Sequence, residues 1–175
     1  MIEVELRTVF DKEEHRRLAQ LLKPYSIGRD DRHSEFYFYK DGLVKISNYL
    51  SKERVKLSYK NGRAGEGNLV EMEMDIPEDK IEMFQRIFEL GKPEQVQLID
   101  QDRENFEVDG VEFALKYTDS WGHHLEAEIC IEDGESQEKA EEKIREVGER
   151  FGIVFMTDQE INDFRKSRAK FETNK

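Results

Sequence analysis

Glu3-Val4-Glu5-Leu6-Arg7 alternates charged and apolar residues, and its Glu-x-Glu spacing returns at Glu71-Met72-Glu73 and Glu126-Ala127-Glu128. Alternate side chains of a strand share a face, so each pair sets two carboxylates side by side while the residues between them turn toward a core. One such pair is an ordinary solvated strand. Three of them, near the start, middle and end of a 175-residue chain, point to strands that pool their acids at a common site.

Around the first pair, strand alternation extends over Ile2–Phe10. A helix is expected next, because Asp11 and Glu14 have capping-box spacing ahead of Leu18, Leu21 and Leu22. Successive strands then read at Glu35–Lys40, Gly42–Tyr49, Arg54–Lys60 and Asn68–Ile76, with Lys-Asp-Gly and Lys-Asn-Gly-Arg turns among them. Pro77 opens a second helix through Ile81, Phe84, Ile87 and Phe88, ended by Gly91. Further strands follow near Glu94–Asp100, Arg103–Val108, Val111–Tyr117 and His123–Ile131, with Asp109-Gly110 as a hairpin turn. Two helices close the chain. One carries Ala140, Ile144, Val147 and Phe151, and the other starts at a Thr157/Glu160 capping box. The predicted class is α+β, with about eight antiparallel strands able to close into a barrel and helices packed outside it.

Strand parity lists the polar face residue by residue. It carries the acids Glu3, Glu5, Glu71, Glu73, Asp75, Glu126 and Glu128, together with Arg7, Lys45, Lys56, Lys60, Arg103 and Lys116. If amphipathic helices cover the apolar face of a closing sheet, this charged face lines the inside. A lining of both signs suits a polyphosphate with a divalent metal, because cations grip phosphate oxygens while carboxylates hold Mg²⁺ or Mn²⁺. An open sheet with a salt-bridged solvent face satisfies the same alternation. The pattern alone leaves both architectures open.

Composition narrows the function classes. The formal net charge is −12, from 40 acidic and 28 basic residues, which argues against nucleic-acid binding and against docking on an anionic membrane. No apolar run is long enough to span a bilayer, and no secretory segment precedes the first strand. The lone Cys130 excludes an internal disulfide framework and fits a reducing, cytoplasmic setting. The length fits one domain over residues 1–175, and the sequence leaves the oligomeric state, a homodimer included, open. His123 and His124 are neighbours on a strand and face opposite sides, so they do not form a joint metal site. Trp121 reads as a packing plug. Cys130 has no partner at a spacing that would mark it as a nucleophile.

In their order along the chain these segments resemble the CYTH superfamily, or triphosphate tunnel metalloenzymes, which includes thiamine triphosphatases, inorganic triphosphatases and class IV adenylyl cyclases. Glu3, Glu5 and Arg7 resemble its N-terminal Glu-x-Glu-x-Lys strand, and Glu35-Phe36-Tyr37-Phe38-Tyr39 its aromatic second segment. Leu57-Ser58-Tyr59-Lys60, Glu71-Met72-Glu73, Gln101-Asp102-Arg103 and Gly122 through Glu128 resemble later ones. The resemblance implies one CYTH-like domain built as an eight-stranded antiparallel tunnel.

Its implied function is a metal-dependent hydrolase of a small-molecule triphosphate, whether inorganic, thiamine or nucleoside. The alternatives are a class IV adenylyl cyclase and a polyphosphate- or nucleotide-binding module without turnover. Metal falls to Glu3, Glu5, Glu126 and Glu128, and phosphate contacts to Arg7, Lys45, Lys60 and Arg103. Lys60 and Tyr37 are the catalytic candidates, with Lys56, Glu71, Glu73 and Lys116 as further tunnel residues. The family's cations are replaced at Ser47, Leu69 and Gln101, and Lys116 stands where an aspartate is usual.

Overall fold

A computed structural model describes residues 2–61, 70–132 and 134–172. In chain order the elements are β1 (Ile2–Val9), α1 (Lys12–Leu22), β2 (Ser26–Arg29), β3 (Arg32–Tyr39), β4 (Gly42–Tyr49), β5 (Arg54–Asn61) and β6 (Val70–Ile76). They continue as α2 (Ile81–Leu90), β7 (Gln95–Val108), β8 (Val111–Thr118), β9 (Gly122–Ile131), α3 (Gln137–Glu149) and α4 (Asp158–Glu172). The chain divides into two compact units, Met1–Arg29 with Arg103–Lys175, and Asp30–Asp102.

In the first unit β1 pairs with β9, β9 with β8, and β8 neighbours the second half of β7. The Asp11 carboxylate caps α1 by accepting from the Glu14 amide at 2.8 Å, as the spacing predicts. That places Leu18 and Leu22 in a core with Phe106, Phe113, Leu125 and Ile144, all essentially inaccessible. The β7–β8 hairpin turns through Asp109 and Gly110 at φ 53° and 76°, the left-handed pair its two-residue loop requires. Gly152, at φ 72°, follows the end of α3, where the Ile153 amide returns to the Gly148 carbonyl at 3.0 Å.

In the second unit the order is β7, β3, β4, β5, β6, with each neighbouring pair antiparallel. Its core gathers Tyr37, Ile46, Val55 and Ile76 beneath Ile81, Phe84 and Phe88 of α2. These apolar residues recur every second position on the strands and every three or four on the helix, so each element buries one face only.

The α+β class, the antiparallel pairing and the eight long strands agree with expectation. Two details differ. The strands expected at Glu94–Asp100 and Arg103–Val108 are one 14-residue strand, β7: Gln101-Asp102 contains no Gly or Pro to break it, and the strand's pairing passes from β3, up to Gln101, to β2, from Glu104. The short β2 is exposed throughout and lacks alternation, so periodicity does not mark it; a bulge near Gly28, at φ 120°, joins it to β7. The start of the strand expected from Asn68 lies outside the described residues.

Candidate functional site

Register assembles the first acidic cluster. Glu5 lies opposite Glu128, Arg7 opposite Glu126, and Glu3 opposite Cys130 on β1 and β9. On the other side of β9, Glu128 faces Glu112 and His124 faces Lys116 of β8. Residues opposite one another in a ladder share a face, so acids from three strands meet the basic side chains of Arg7 and Lys116.

The side chains form a ladder of ion pairs from Glu5 through Arg7 and Glu126 to Lys116. Arg7 is forked onto Glu5, with Nη2 donating to Oε2 at 2.9 Å, and its Nε also lies 3.2 Å from Oε1 of Glu126. The second oxygen of Glu126 takes the ammonium of Lys116, which is 4 % exposed. Beyond it, Arg103 donates from Nε to Asn105 at 2.6 Å and lies 3.4 Å from Glu112. Burial opposes the Arg7 charge, yet Glu5, with support from Glu3 and Glu128, holds it above its ordinary value. Burial pushes the Glu128 carboxyl above the usual range; Arg103 opposes the rise, and Glu112 and Glu5 add to it.

His124 completes this face. Burial, with Lys116 and Arg7 nearby, depresses its pKa to about 4. Its Nδ1 lies 2.9 Å from the Gly122 carbonyl, which can only accept, so Nδ1 carries the proton of the neutral ring. Trp121 stands between Arg7 at 5.9 Å, His124 at 5.5 Å and Phe164 of α4 at 5.5 Å, as the packing role expected of it requires. His123 turns to the opposite face, 4.7 Å from both His15 and Tyr117.

The second unit carries its own charged face. Lys45 lies opposite Ser58, Lys56 opposite Asp75, Ser58 opposite Glu73, and Lys60 opposite Glu71. Lys56 pairs with Glu73, which also accepts from Ser58 at 3.2 Å. Burial opposes the Glu73 charge, but Lys56 and then Ser58 and Lys45 hold the carboxyl below its ordinary range. Lys45 sits 6.0 Å over the Phe36 ring. Ser47, which stands where the resembled family carries a cation, is buried and bonded to Ser34 at 3.0 Å. The side chain of Glu71, and Leu69 entirely, lie outside the described residues.

The two catalytic candidates fall on different faces. Tyr37 shares its side of β3 with Glu35, to which it donates at 2.7 Å, and its ring is buried 5.3 Å from Phe88 of α2. Burial first, then Glu35, raises its pKa. Lys60 has the strand parity of Lys56 and Ser58, on the charged side. Tyr37 and Lys60 therefore do not share a face of the sheet, and the Tyr37 ring packs under α2.

Glu112 and Asn105 were missed from sequence. Glu112 alternates with Val111 and Phe113, so the parity rule that found Lys116 on the same strand would have found it too. Asn105 follows Arg103 by two and carries no charge to draw notice.

Glu3, Glu5, Glu112 and Glu128 offer carboxylate oxygens of the kind a hard divalent cation takes. Among the described residues, however, no three acids, histidines or cysteines converge on a point. Glu5 and Glu126 are turned onto Arg7 and Lys116 instead.

No family sequence profile and no curated protein matches the chain by sequence. Solved structures do match its fold. PH1819 from Pyrococcus horikoshii OT3 superposes with TM-score 0.71 at 20% identity, covering 90% of this chain and 94% of that one. A candidate adenylate cyclase from Vibrio parahaemolyticus superposes with TM-score 0.66 at 16% identity, over 86% and 88% of the two chains. The fold is CYTH-like. A third match is a Hippeastrum protein considered as an adenylyl cyclase, whose dominant activity is a triphosphatase. It has TM-score 0.61 at 18% identity over 87% and 88% of the chains. At these identities the likeness establishes the CYTH-like fold alone.

Proposed function

We propose that this CYTH-like chain is a metal-dependent hydrolase of a small triphosphate. The observation that carries the reading is the interleaving of carboxylates with Arg7 and the buried Lys116 on β1, β8 and β9. A nonpolar substrate has no use for such a face, and a simple anion has no use for its acids. A metal–polyphosphate complex uses both.

Arg7 and Lys116, with Arg103, are the cations available to phosphate oxygens; Arg7 and Arg103 offer forked contacts and Lys116 a point charge. The resemblance gives Lys45 and Lys60 the same role. Glu5 and Glu128, flanked by Glu3 and Glu126, would hold Mg²⁺ or Mn²⁺, which supplies charge neutralisation and a more acidic bound water. Hydrolysis adds water oxygen to the terminal phosphorus and breaks its bond to the bridging oxygen, releasing orthophosphate and a diphosphate. Cations fixed where the leaving oxygen gains charge favour that step.

Phosphate release from tripolyphosphate, thiamine triphosphate and ATP, each with Mg²⁺ and with Mn²⁺, tests the reading. Orthophosphate from at least one substrate, abolished by EDTA, supports it. Cyclic AMP with pyrophosphate from ATP would make the chain a cyclase, and binding of tripolyphosphate without turnover would make it a binding module.

A further inference from the structure

On the reading above, the ladder occupies its own binding groups. Arg7 bridges a carboxylate on its own strand and one on the next, and Lys116 closes on the second oxygen of that same Glu126. A phosphate that takes Arg7 and Lys116 competes with Glu126 for their donors. A cation that takes Glu5 competes with Arg7 for its oxygens. Lys116 is buried, so its charge requires an anionic partner in every state, and phosphate oxygens can replace the carboxylate without leaving it bare.

We propose that Glu126 is a built-in competitor for the anion, and Arg7 for the metal, so that a divalent cation and a polyphosphate bind with positive coupling through exchange of these ion pairs. A cation on Glu5 releases Arg7 toward phosphate, and phosphate on Arg7 and Lys116 releases the acids toward the cation. Linkage makes the effect reciprocal. Either ligand alone must compete with an internal ion pair.

Two single-ligand titrations test the exchange without the complication that the ligands bind each other in solution. In EDTA, calorimetry with sodium tripolyphosphate compares the wild type with Glu126→Gln and with Glu3→Gln, which removes the same charge from the acid two residues before Glu5 on β1. Glu126→Gln is expected to tighten binding by about tenfold and Glu3→Gln by no more than about threefold, the difference between a lost direct competitor and a screened charge. Without any polyphosphate, Mn²⁺ binding followed by electron paramagnetic resonance is expected to tighten by about tenfold in Arg7→Gln and to stay nearly unchanged in Arg17→Gln, a surface control on α1. Equal effects in variant and control, or weaker binding in Glu126→Gln or Arg7→Gln, overturn the exchange while leaving the proposed function standing. Failure of every variant to bind tripolyphosphate, with or without Mn²⁺, overturns both. If Glu126→Gln does not fold, the Arg7→Gln titration decides alone.

Discussion

Arg7 and Glu126 face one another across β1 and β9, guanidinium to carboxylate at 3.2 Å, while Arg7 keeps its fork on Glu5 two residues back along its own strand. One cation thus ties together the first and last acidic pairs of the sequence. Each side chain in the ladder has a consequence that can be measured separately.

Glu5→Gln keeps the shape of the side chain and an acceptor for Arg7 while removing the charge a divalent cation would need. Metal-dependent phosphate release is expected to fall on the order of 100-fold or more, with the folded circular-dichroism spectrum retained. Full turnover in this variant would sink the metal-ligand assignment.

Lys116→Met tests what the buried ion pair does for the fold. The methionine fills most of the lysine volume, but Glu126 loses one of its two cations in a half-buried setting. A loss of about 3 kcal/mol is expected, seen as a fall in Tm of roughly 6–12 °C for a chain of this size. An unchanged Tm would show that Arg7 alone satisfies Glu126.

The pH dependence of stability follows from His124. Its folded pKa, about 4, lies below the ordinary value of 6.5, so the folded state resists protonation more than the unfolded chain does. Stability is fully present above pH 6.5 and is lost as pH falls from there toward 4, by up to about 3 kcal/mol. Glu128 acts in the opposite sense: its raised pKa favours the folded state below the ordinary carboxyl value and is lost as pH rises. Urea midpoints between pH 4 and 7 for the wild type and His124→Asn isolate the histidine. The variant should lose the downward slope, and an identical slope would refute the buried neutral ring.

Gly148→Ala probes the packing of α3. A methyl group there would stand 2.6 Å from the Phe155 ring and 3.6 Å from Cβ of Ile153, and both side chains are buried in the core. Overpacking should cost about 1–3 kcal/mol despite the better helix propensity of alanine. A stabilised variant would mean that Phe155 moves aside freely.

Tyr37→Phe separates packing from chemistry on β3. The hydroxyl donates to Glu35, which keeps a second donor in Gln85 at 2.6 Å. A stability loss near 1 kcal/mol is expected, with phosphate release within about twofold of wild type. A large loss of turnover at unchanged stability would return Tyr37 to the catalytic set.

Much of the fold was legible because strand and helix periods are local. The alternation in Ile2–Val9, Gly42–Tyr49 and Val111–Thr118, the Asp11 and Thr157 caps, and the Asp109-Gly110 turn each depend on a few adjacent residues. The β2 strand and the continuity of β7 were not legible, since both depend on which strand lies alongside. Parity likewise named the acids and cations of the charged faces, Glu112 excepted, because alternation assigns a side chain to a face before any partner is known.

The sequence by itself determined the antiparallel α+β architecture and which charged residues share a face. Only the tertiary structure decided their partners: Glu126 on Arg7 and Lys116, Glu73 on Lys56, and Tyr37 under α2 with Glu35. The physical reason is that a face follows from a two-residue period along one strand, whereas an ion pair follows from register between strands far apart in the chain. Arg7 and Glu126 are separated by most of its length, and the backbone hydrogen bonds of β1 and β9 set them opposite each other.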